Sequence, residues 1–196
     1  GASVMVNADG TYTYFANGIF DTLAEGTTAT DTFTYNITNT VGGTDEGVVT
    51  ITGYEINETP SIGIQGGAIT VSEDTTFSFG TQDLIAVNDV DLLGGTMVVN
   101  LSVENGTLGL GNAAGLTVTD GDGSDGDLAF EGDLTAINSA LATLKYQGNQ
   151  DFNGSDTLTI VANDQGNTGR DPGLTGDDKS EEAISTLNIN ITPVTD

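Results

Sequence analysis

Two aspartates, Asp89 and Asp91, stand two positions apart, between Asn88 and a pair of leucines. Residues two apart in an extended segment point to the same side, and a bent loop can also aim both carboxylates at one ion. Calcium is bound by about six to eight hard oxygens, mostly from carboxylates and carbonyls. The pair is therefore a candidate calcium site. The alternative is an ordinary turn, since Asp and Asn side chains readily hydrogen-bond the nearby backbone.

The densest acidic stretch resembles part of an EF-hand loop. Asp120, Asp122 and Ser124 match its first, third and fifth positions, and Glu131 falls at the twelfth. However, Asp125 replaces the glycine that the sixth position requires, and Glu131 lies in a strand pattern. We therefore expect a hairpin loop here. Residues 171–182 are similarly acidic, and we interpret them as a mobile, solvated loop.

The composition leaves little room for catalysis. The chain has no His and no Cys, which excludes a Ser-His-Asp triad and a thiol nucleophile. Two carboxylates are enough to hydrolyse a glycoside, but no pair stands out from the general acidity, and no Trp is present to stack on a sugar. Residues 109–111 lack the helix and the lysine of a phosphate loop. We expect a protein that is not an enzyme.

The charge is strongly one-sided. Three basic residues face 29 acidic ones in 196 residues, giving a net charge of −26. Self-repulsion on this scale destabilises a compact chain unless salt or bound cations screen it. It also argues against nucleic acid and anionic membranes as partners. No apolar run is long enough to cross a membrane. Without disulfides, bound metal ions are a natural source of extra stability.

Short β-strands are expected throughout the first part of the chain, at residues 4–6, 11–15, 31–38 and 47–52. The Asp9-Gly10 turn between the first two indicates a hairpin. Phe33, Tyr35 and Ile37 alternate with polar residues and so share one face of the third strand. Few strands fit before residue 55 for a complete sandwich, which favours a unit that is truncated at its start.

A polar linker at residues 56–60 separates this part from a second series of strands. These are expected at 68–71, 76–79, 97–103, 116–119, 128–131, 157–162 and 184–191. Seven strands are sufficient for a full sandwich. The sequence thus predicts an all-β protein with two domains, residues 1–58 and 59–196, built as tandem immunoglobulin- or cadherin-like β-sandwiches.

One segment of the second domain has the spacing of a helix. Leu134, Ile137, Leu141 and Leu144 recur every three or four residues, and Asp133 is placed to cap the first turn. The pattern predicts a short helix over 133–144 that crosses between the sheets.

Several motifs match known repeat families. The runs DGTYTY (9–14), FDTL (20–23), ATDTFTY (29–35) and GGT (42–44) resemble the VCBS repeat of large bacterial adhesins. The runs VSEDT (71–75), NDVD (88–91), AINSAL (136–141), FNGSD (152–156) and NDQGN (163–167) are similar to the cadherin-like repeats of RTX-type adhesins. Both families have immunoglobulin-like sandwiches strung in series.

The resemblance implies a calcium site at the junction of the two domains. Asp89 and Asp91 would lie at the end that faces the preceding linker, Asp164 would join them, and Asn57 with Glu58 would complete the site. The linker keeps an acid here but carries Asn-Glu where the family usually has Asn-Asp.

A second ligand is implied at the other end of the domain. There Glu73 would serve the next linker, together with Asp196 and residues beyond it.

These features lead to a functional hypothesis. Calcium at the junctions would stiffen a rod of repeats, so the chain would be an extender module of a secreted or bacterial cell-surface adhesin, with neighbouring repeats of the same polypeptide as its partners. One alternative is a module that binds polysaccharide or a cell-surface protein, since Tyr12 and Tyr14 share a face and can stack on a sugar. Equally, both can simply pack on a core. The other alternative is an inert spacer whose acidity reflects adaptation to salt.

Overall fold

The computed structural model describes residues 1–7, 9–21, 23, 27–54, 56–80, 85–90, 92, 94–121, 125–166 and 181–195. The described elements of the first unit are four strands that form two separate antiparallel hairpins, β1 (Ser3–Val6) with β2 (Tyr12–Phe15) and β3 (Thr28–Thr38) with β4 (Thr44–Tyr54). The predicted strands of this unit are confirmed, and β3 and β4 are longer than expected.

The β3–β4 hairpin is closed by polar turn chemistry. Thr38 pairs with Thr44 across the turn, and Asn39 Oδ1 accepts hydrogen bonds from Val41 N at 3.0 Å and Gly43 N at 2.8 Å. Gly42 takes a positive φ of 88°, which glycine adopts without steric cost. Along the hairpin Phe33 lies opposite Val49, so the predicted apolar face extends across both strands.

The second unit contains eleven strands and one helix among its described residues. The strands are β5 (Ser61–Ile64), β6 (Ile69–Ser72), β7 (Thr76–Ser78), β8 (Ile85–Asn88), β9 (Met97–Ser102), β10 (Gly106–Leu110), β11 (Thr117–Asp120), β12 (Asp127–Gly132), β13 (Leu144–Gly148), β14 (Gly154–Asn163) and β15 (Glu182–Thr192). A six-stranded sheet has the order β11-β12-β9-β14-β15-β6, a three-stranded sheet has the order β10-β13-β7, and β5 pairs with β8. The all-β sandwich fold is thereby confirmed.

A single apolar core fills the second unit. Apart from Pro60, every buried apolar side chain in the described ranges lies between Ile69 and Ile191. The alternation in β9, β12 and β14 places Val99, Phe130 and Ile160 in this core, all fully buried. None of the apolar side chains described in residues 1–56 is buried to the same degree.

The helix begins where the sequence predicts but ends sooner. Helix α1 (Leu134–Leu141) starts after Asp133, whose side chain accepts a hydrogen bond from Ala136 N at 2.8 Å. Ile137 and Leu141 face the core. The prediction was wrong for Leu144, which is buried as the first residue of β13. The spacing continued past the helix because the same core accepts both elements.

Four strands were not predicted: β5, β8, β10 and β13. Each has only four or five residues, and β5, β10 and β13 contain glycine, so the strand signal in the sequence is weak. These segments become strands through pairing with each other, β5 with β8 and β10 with β13.

Candidate metal site

Strand ends of the second unit converge near the linker. Asn163, the last residue of β14, pairs with Glu182, the first of β15, so Asp164 and Glu181 lie just outside this hairpin. Ser61 at the start of β5 pairs with Asn88 at the end of β8. Because β5 packs against β14 and β15, these strand ends come to one end of the domain.

The linker is bound to this end through a buried side-chain contact. Asn57 Nδ2 donates a hydrogen bond to Asp164 Oδ2 at 3.1 Å, and both residues are only 1% exposed. Asp164 Oδ1 accepts from Gly166 N at 2.8 Å, and Asp164 N donates to Glu181 O at 3.0 Å. A buried carboxylate is stable only with such partners. The linker is therefore docked on the second unit at Asn57 and is not a solvated connection at this point.

Buried oxygens gather among the same residues. Asn57 Oδ1, Glu58 Oε2, Asp89 Oδ2 and Glu181 Oε2 are buried side-chain oxygens. Within the described residues, Glu181 Oε2 accepts no hydrogen bond. Asn57, Glu58, Asp89 and Asp164 each take part in further interactions. Glu181 Oε2 is thus a buried acceptor that lacks a donor, a situation that a bound ion or water commonly explains. The donor set consists of oxygens alone, which suits a hard cation such as calcium.

Carboxylates alone do not form a metal site among the described residues. Within the described ranges, no three carboxylates stand close enough together to hold a metal ion by themselves. Asp91 and Asp196, two residues of the predicted sites, lie outside those ranges. The predicted calcium site therefore stays a prediction.

Asp89 also makes the turn interaction that was weighed as the alternative. Its Oδ1 accepts a hydrogen bond from Leu92 N at 3.1 Å. Its other oxygen, Oδ2, is buried. The residue can thus shape the turn after β8 with one oxygen and face a cation with the other.

Glu181 is a candidate ligand that sequence reasoning missed, because it falls in the stretch interpreted as a mobile, solvated loop. That interpretation was wrong for Glu181, whose main chain bonds Asp164 and whose Oε2 is buried. Residues 171–180 of the stretch lie outside the described ranges. One feature of the sequence could have indicated this role: Glu181 directly precedes a long alternating strand, and residues in such positions lie at the end of a sheet.

Glu73 lies at the opposite end of the domain. Its Oε1 accepts a hydrogen bond from Val194 N at 2.7 Å, and its Oε2 accepts from Asn153 Nδ2 at 3.3 Å. Gly154 pairs with Ile191 at this end, whereas Asp164 follows the other end of the same hairpin. Ten residues of strand at about 3.3 Å each separate the two ends by roughly 30 Å. Glu73 therefore does not join the site around Asp164.

Another buried acid, Asp156, has a structural role as a hydrogen-bond acceptor. Its Oδ1 accepts from Glu104 N and Thr157 N, and its Oδ2 accepts from Asn105 N and the Tyr146 hydroxyl at 2.9 Å. Burial has the larger effect and the hydrogen bond to Asp156 the smaller one, and both raise the pKa of Tyr146 above its ordinary value. With four donors this carboxylate is fully engaged.

The two tyrosines considered for sugar stacking are engaged in packing. The Tyr12 ring meets Phe33 edge to face at 5.3 Å, and the Tyr14 hydroxyl donates to Asp31 Oδ2 at 2.7 Å. Burial and this hydrogen bond raise the pKa of Tyr14 to about 12. These contacts favour the packing interpretation over a sugar platform.

The acidic stretch at 120–127 joins β11 to β12, which pair antiparallel, so the predicted hairpin is confirmed. Residues 122–124 of the EF-hand comparison lie outside the described ranges. Glu131 pairs with Thr117 in the sheet, and its Oε1 accepts a hydrogen bond from Thr96 Oγ1 at 2.6 Å.

The fold and this site define a β-sandwich module with a docked linker. The family model described as "Protein GAMETE EXPRESSED 2 domain" matches residues 90–171, which is less than half of the chain. It is neither of the repeat families that the motifs resemble, so both resemblances stay predictions.

Among solved structures, the protocadherin GammaB4 extracellular domain is similar with a TM-score of 0.36 and 14% identity, over 97% of this chain and 24% of that one. This chain thus spans about a quarter of that protein. None of the curated proteins matches the sequence. No helix in the described part of the chain is long and apolar enough to cross a membrane.

Proposed function

We propose that this chain is a non-catalytic structural module of a secreted or cell-surface protein, in which calcium fixes the linker to the second unit. The observation that carries the proposal is the buried hydrogen bond from Asn57 to Asp164, which joins the linker to the far end of the β14–β15 hairpin. A module whose linker is held in this way has a defined angle to whatever precedes it. Extension and spacing are the functions that such geometry serves.

The chemistry of the residues supports calcium as the ion. The ligands would be oxygens of Asn57, Glu58, Asp89, Asp91 and Asp164, as the motif resemblance implies. Glu181 is a sixth candidate, because its buried Oε2 has no hydrogen-bond donor. A doubly charged cation would offset the repulsion among these carboxylates, which is severe in a chain of net charge −26.

Each ligand would have a mechanical role. Asn57 and Glu58 belong to the linker, Asp89 to the turn after β8, and Asp164 to the turn after β14. An ion bound to all three segments would cross-link them. The linker would then move with the second unit as one body, and loss of the ion would leave like charges to push it away.

The test is thermal unfolding in chelator, in calcium, and in sodium chloride of equal ionic strength. Calcium at about 100 times its Kd stabilises the folded state by about 2.7 kcal/mol, which raises the melting temperature by roughly 10 °C for a domain of this size. Asp164→Asn should abolish most of this rise, while Asp127→Asn, an exposed site with the same change of charge, should preserve it. An equal response to both salts would reject the calcium site and favour the inert spacer.

The more specific assignment, an extender in a bacterial adhesin with neighbouring repeats as partners, rests on the motif resemblance alone. The rival function, binding of polysaccharide or of a cell-surface protein, has less support because Tyr12 and Tyr14 are engaged within the first unit.

A further inference from the structure

Two strands from opposite ends of the second unit lie side by side. Strand β6 lies near the start of the second unit and β15 lies at its end. The two strands are parallel, with Ile69 beside Ile189 and Ser72 beside Thr192. Tension applied directly before β6, past the contacts that hold Asn57 and β5, and after β15 therefore slides the two strands along each other. In this geometry the hydrogen bonds between them bear the load together, whereas a hairpin pulled from its open end loses them one at a time.

The Glu73 side chain adds bonds just beyond the last strand pair. Glu73 N donates to Thr192 O at 2.9 Å, so the ladder continues by one residue. Glu73 Oε1 then accepts from Val194 N at 2.7 Å, past the end of β15. Hydrogen bonds to an ionised carboxylate are roughly twice as strong as neutral ones. Glu73 thus holds the departing chain at the point where tension enters β15.

The Glu73 side chain itself is largely shielded from water, whereas its partner Val194 is 48% exposed. Glu73 is 5% exposed, and Ile69 and Ile191 are each 4% exposed. The turn after β6 is closed by Thr75 Oγ1, which donates to Ser72 O at 2.6 Å. Asn153 Nδ2 donates to the second oxygen of Glu73 at 3.3 Å. Both carboxylate oxygens of Glu73 therefore have a fixed partner in the fold.

We propose that β6, β15 and Glu73 form a mechanical clamp, through which the second unit resists tension applied along the chain. The clamp does not depend on the proposed calcium site, because it lies at the other end of the β14–β15 hairpin from Asp164. Its function is to bear load, which is distinct from fixing the angle of the linker.

Single-molecule force spectroscopy on the full chain in chelator tests the clamp. The chain has no cysteine, so pairs of introduced cysteines attach the handles specifically. Handles at Gln65→Cys and Thr195→Cys load β6 against β15 in shear. Handles at Asn163→Cys and Ile184→Cys pull the β14–β15 hairpin apart from its end, since Asn163 pairs with Glu182.

At one loading rate, the first geometry should require a clearly higher unfolding force than the second. Equal forces, or a lower force in the first geometry, would overturn the proposal. Because no change at Glu73 is involved, this comparison does not depend on whether a Glu73 variant folds. The chelator removes any contribution from calcium, so the result is separate from the test of the cation site.

The part played by Glu73 has its own test. Glu73→Gln should raise the unfolding rate under shear up to about tenfold, because the neutral amide oxygen accepts from Val194 N more weakly than the carboxylate and the new NH2 group faces Asn153 Nδ2, itself a donor. The rate in the second geometry should stay the same, because that pull begins at the far end of the hairpin. Glu104→Gln, the same change at an exposed position, should alter neither rate. If Glu73→Gln accelerates both geometries equally, or neither, Glu73 is not part of the clamp.

Discussion

The side-chain amide of Asn138 makes two hydrogen bonds with the main chain of Val87. Val87 N donates to Asn138 Oδ1, and Asn138 Nδ2 donates to Val87 O, both at 2.8 Å. An adjacent strand would offer the same donor and acceptor. Helix α1 thus protects the edge of β8 that faces away from β5, where exposed backbone groups would otherwise be open to pairing with another chain.

This relationship predicts a cost for Asn138→Ala. Both partners on Val87 would lose their hydrogen bonds in a partly buried place, so the free energy of unfolding should fall by about 1–3 kcal/mol. Chemical denaturation of the full chain measures it, with Ser139→Ala, the next residue on the helix, as the control. A loss no larger than that of the control would mean that water replaces the amide without penalty.

The hydroxyl of Tyr146 should contribute a similar amount to the free energy of unfolding. Tyr146→Phe keeps the buried ring but removes a donor to Asp156, so we expect a loss of about 1–3 kcal/mol in the free energy of unfolding. Tyr14→Phe removes a comparable donor to Asp31 in the first unit and serves as the comparison. An unchanged stability of Tyr146→Phe would show that the three backbone donors satisfy Asp156 alone.

The tyrosines also predict a loss of stability in alkali. The pKa of Tyr146 is raised above its ordinary value of 10.0, so the folded state disfavours the phenolate. The stability from this neutral form is complete below pH 10 and decreases as the pH rises above 10, because only the unfolded chain ionises there. Denaturation at pH 9 and at pH 11 measures the loss, and Tyr146→Phe should show a smaller decrease than the parent chain. Equal decreases in both proteins would contradict the prediction.

The first unit should open far more readily than the second. Its four strands bury no large apolar side chain, whereas Val99 and Ile160 in the second unit are fully buried. Local stability follows buried apolar contacts, so amide hydrogens of β3 and β4 should exchange faster than those of β9 and β14 by several orders of magnitude. Hydrogen exchange monitored by mass spectrometry measures this. Similar protection in both units would mean that they unfold as one body.

Glu181 should contribute to the calcium response if the proposed site is real. Glu181→Gln removes a charge beside Asp164, so it should reduce the rise in melting temperature that calcium causes by about half or more. Glu182→Gln makes the same change one residue further along and should leave the rise intact. The same thermal unfolding in calcium and in matched sodium chloride measures both variants. Equal effects of the two variants would exclude Glu181 as a ligand.

The sequence by itself determined many of the local elements and the class of fold. The Asp133 cap, the alternation of Phe33 and Tyr35, and the Asp9-Gly10 turn are local signals, and each acts within a few residues. The absence of His and Cys and the net charge of −26 likewise set the chemistry that is open to the chain before any folding.

The tertiary structure decided which distant residues meet. No local pattern predicts that β6 lies parallel to β15, or that Asn57 reaches Asp164, because both contacts join segments more than 100 residues apart. The same holds for Glu181, which looks like part of a solvated loop until β15 pairs with β14. Long-range pairing depends on the shared core, and that core exists only once the sheets have assembled.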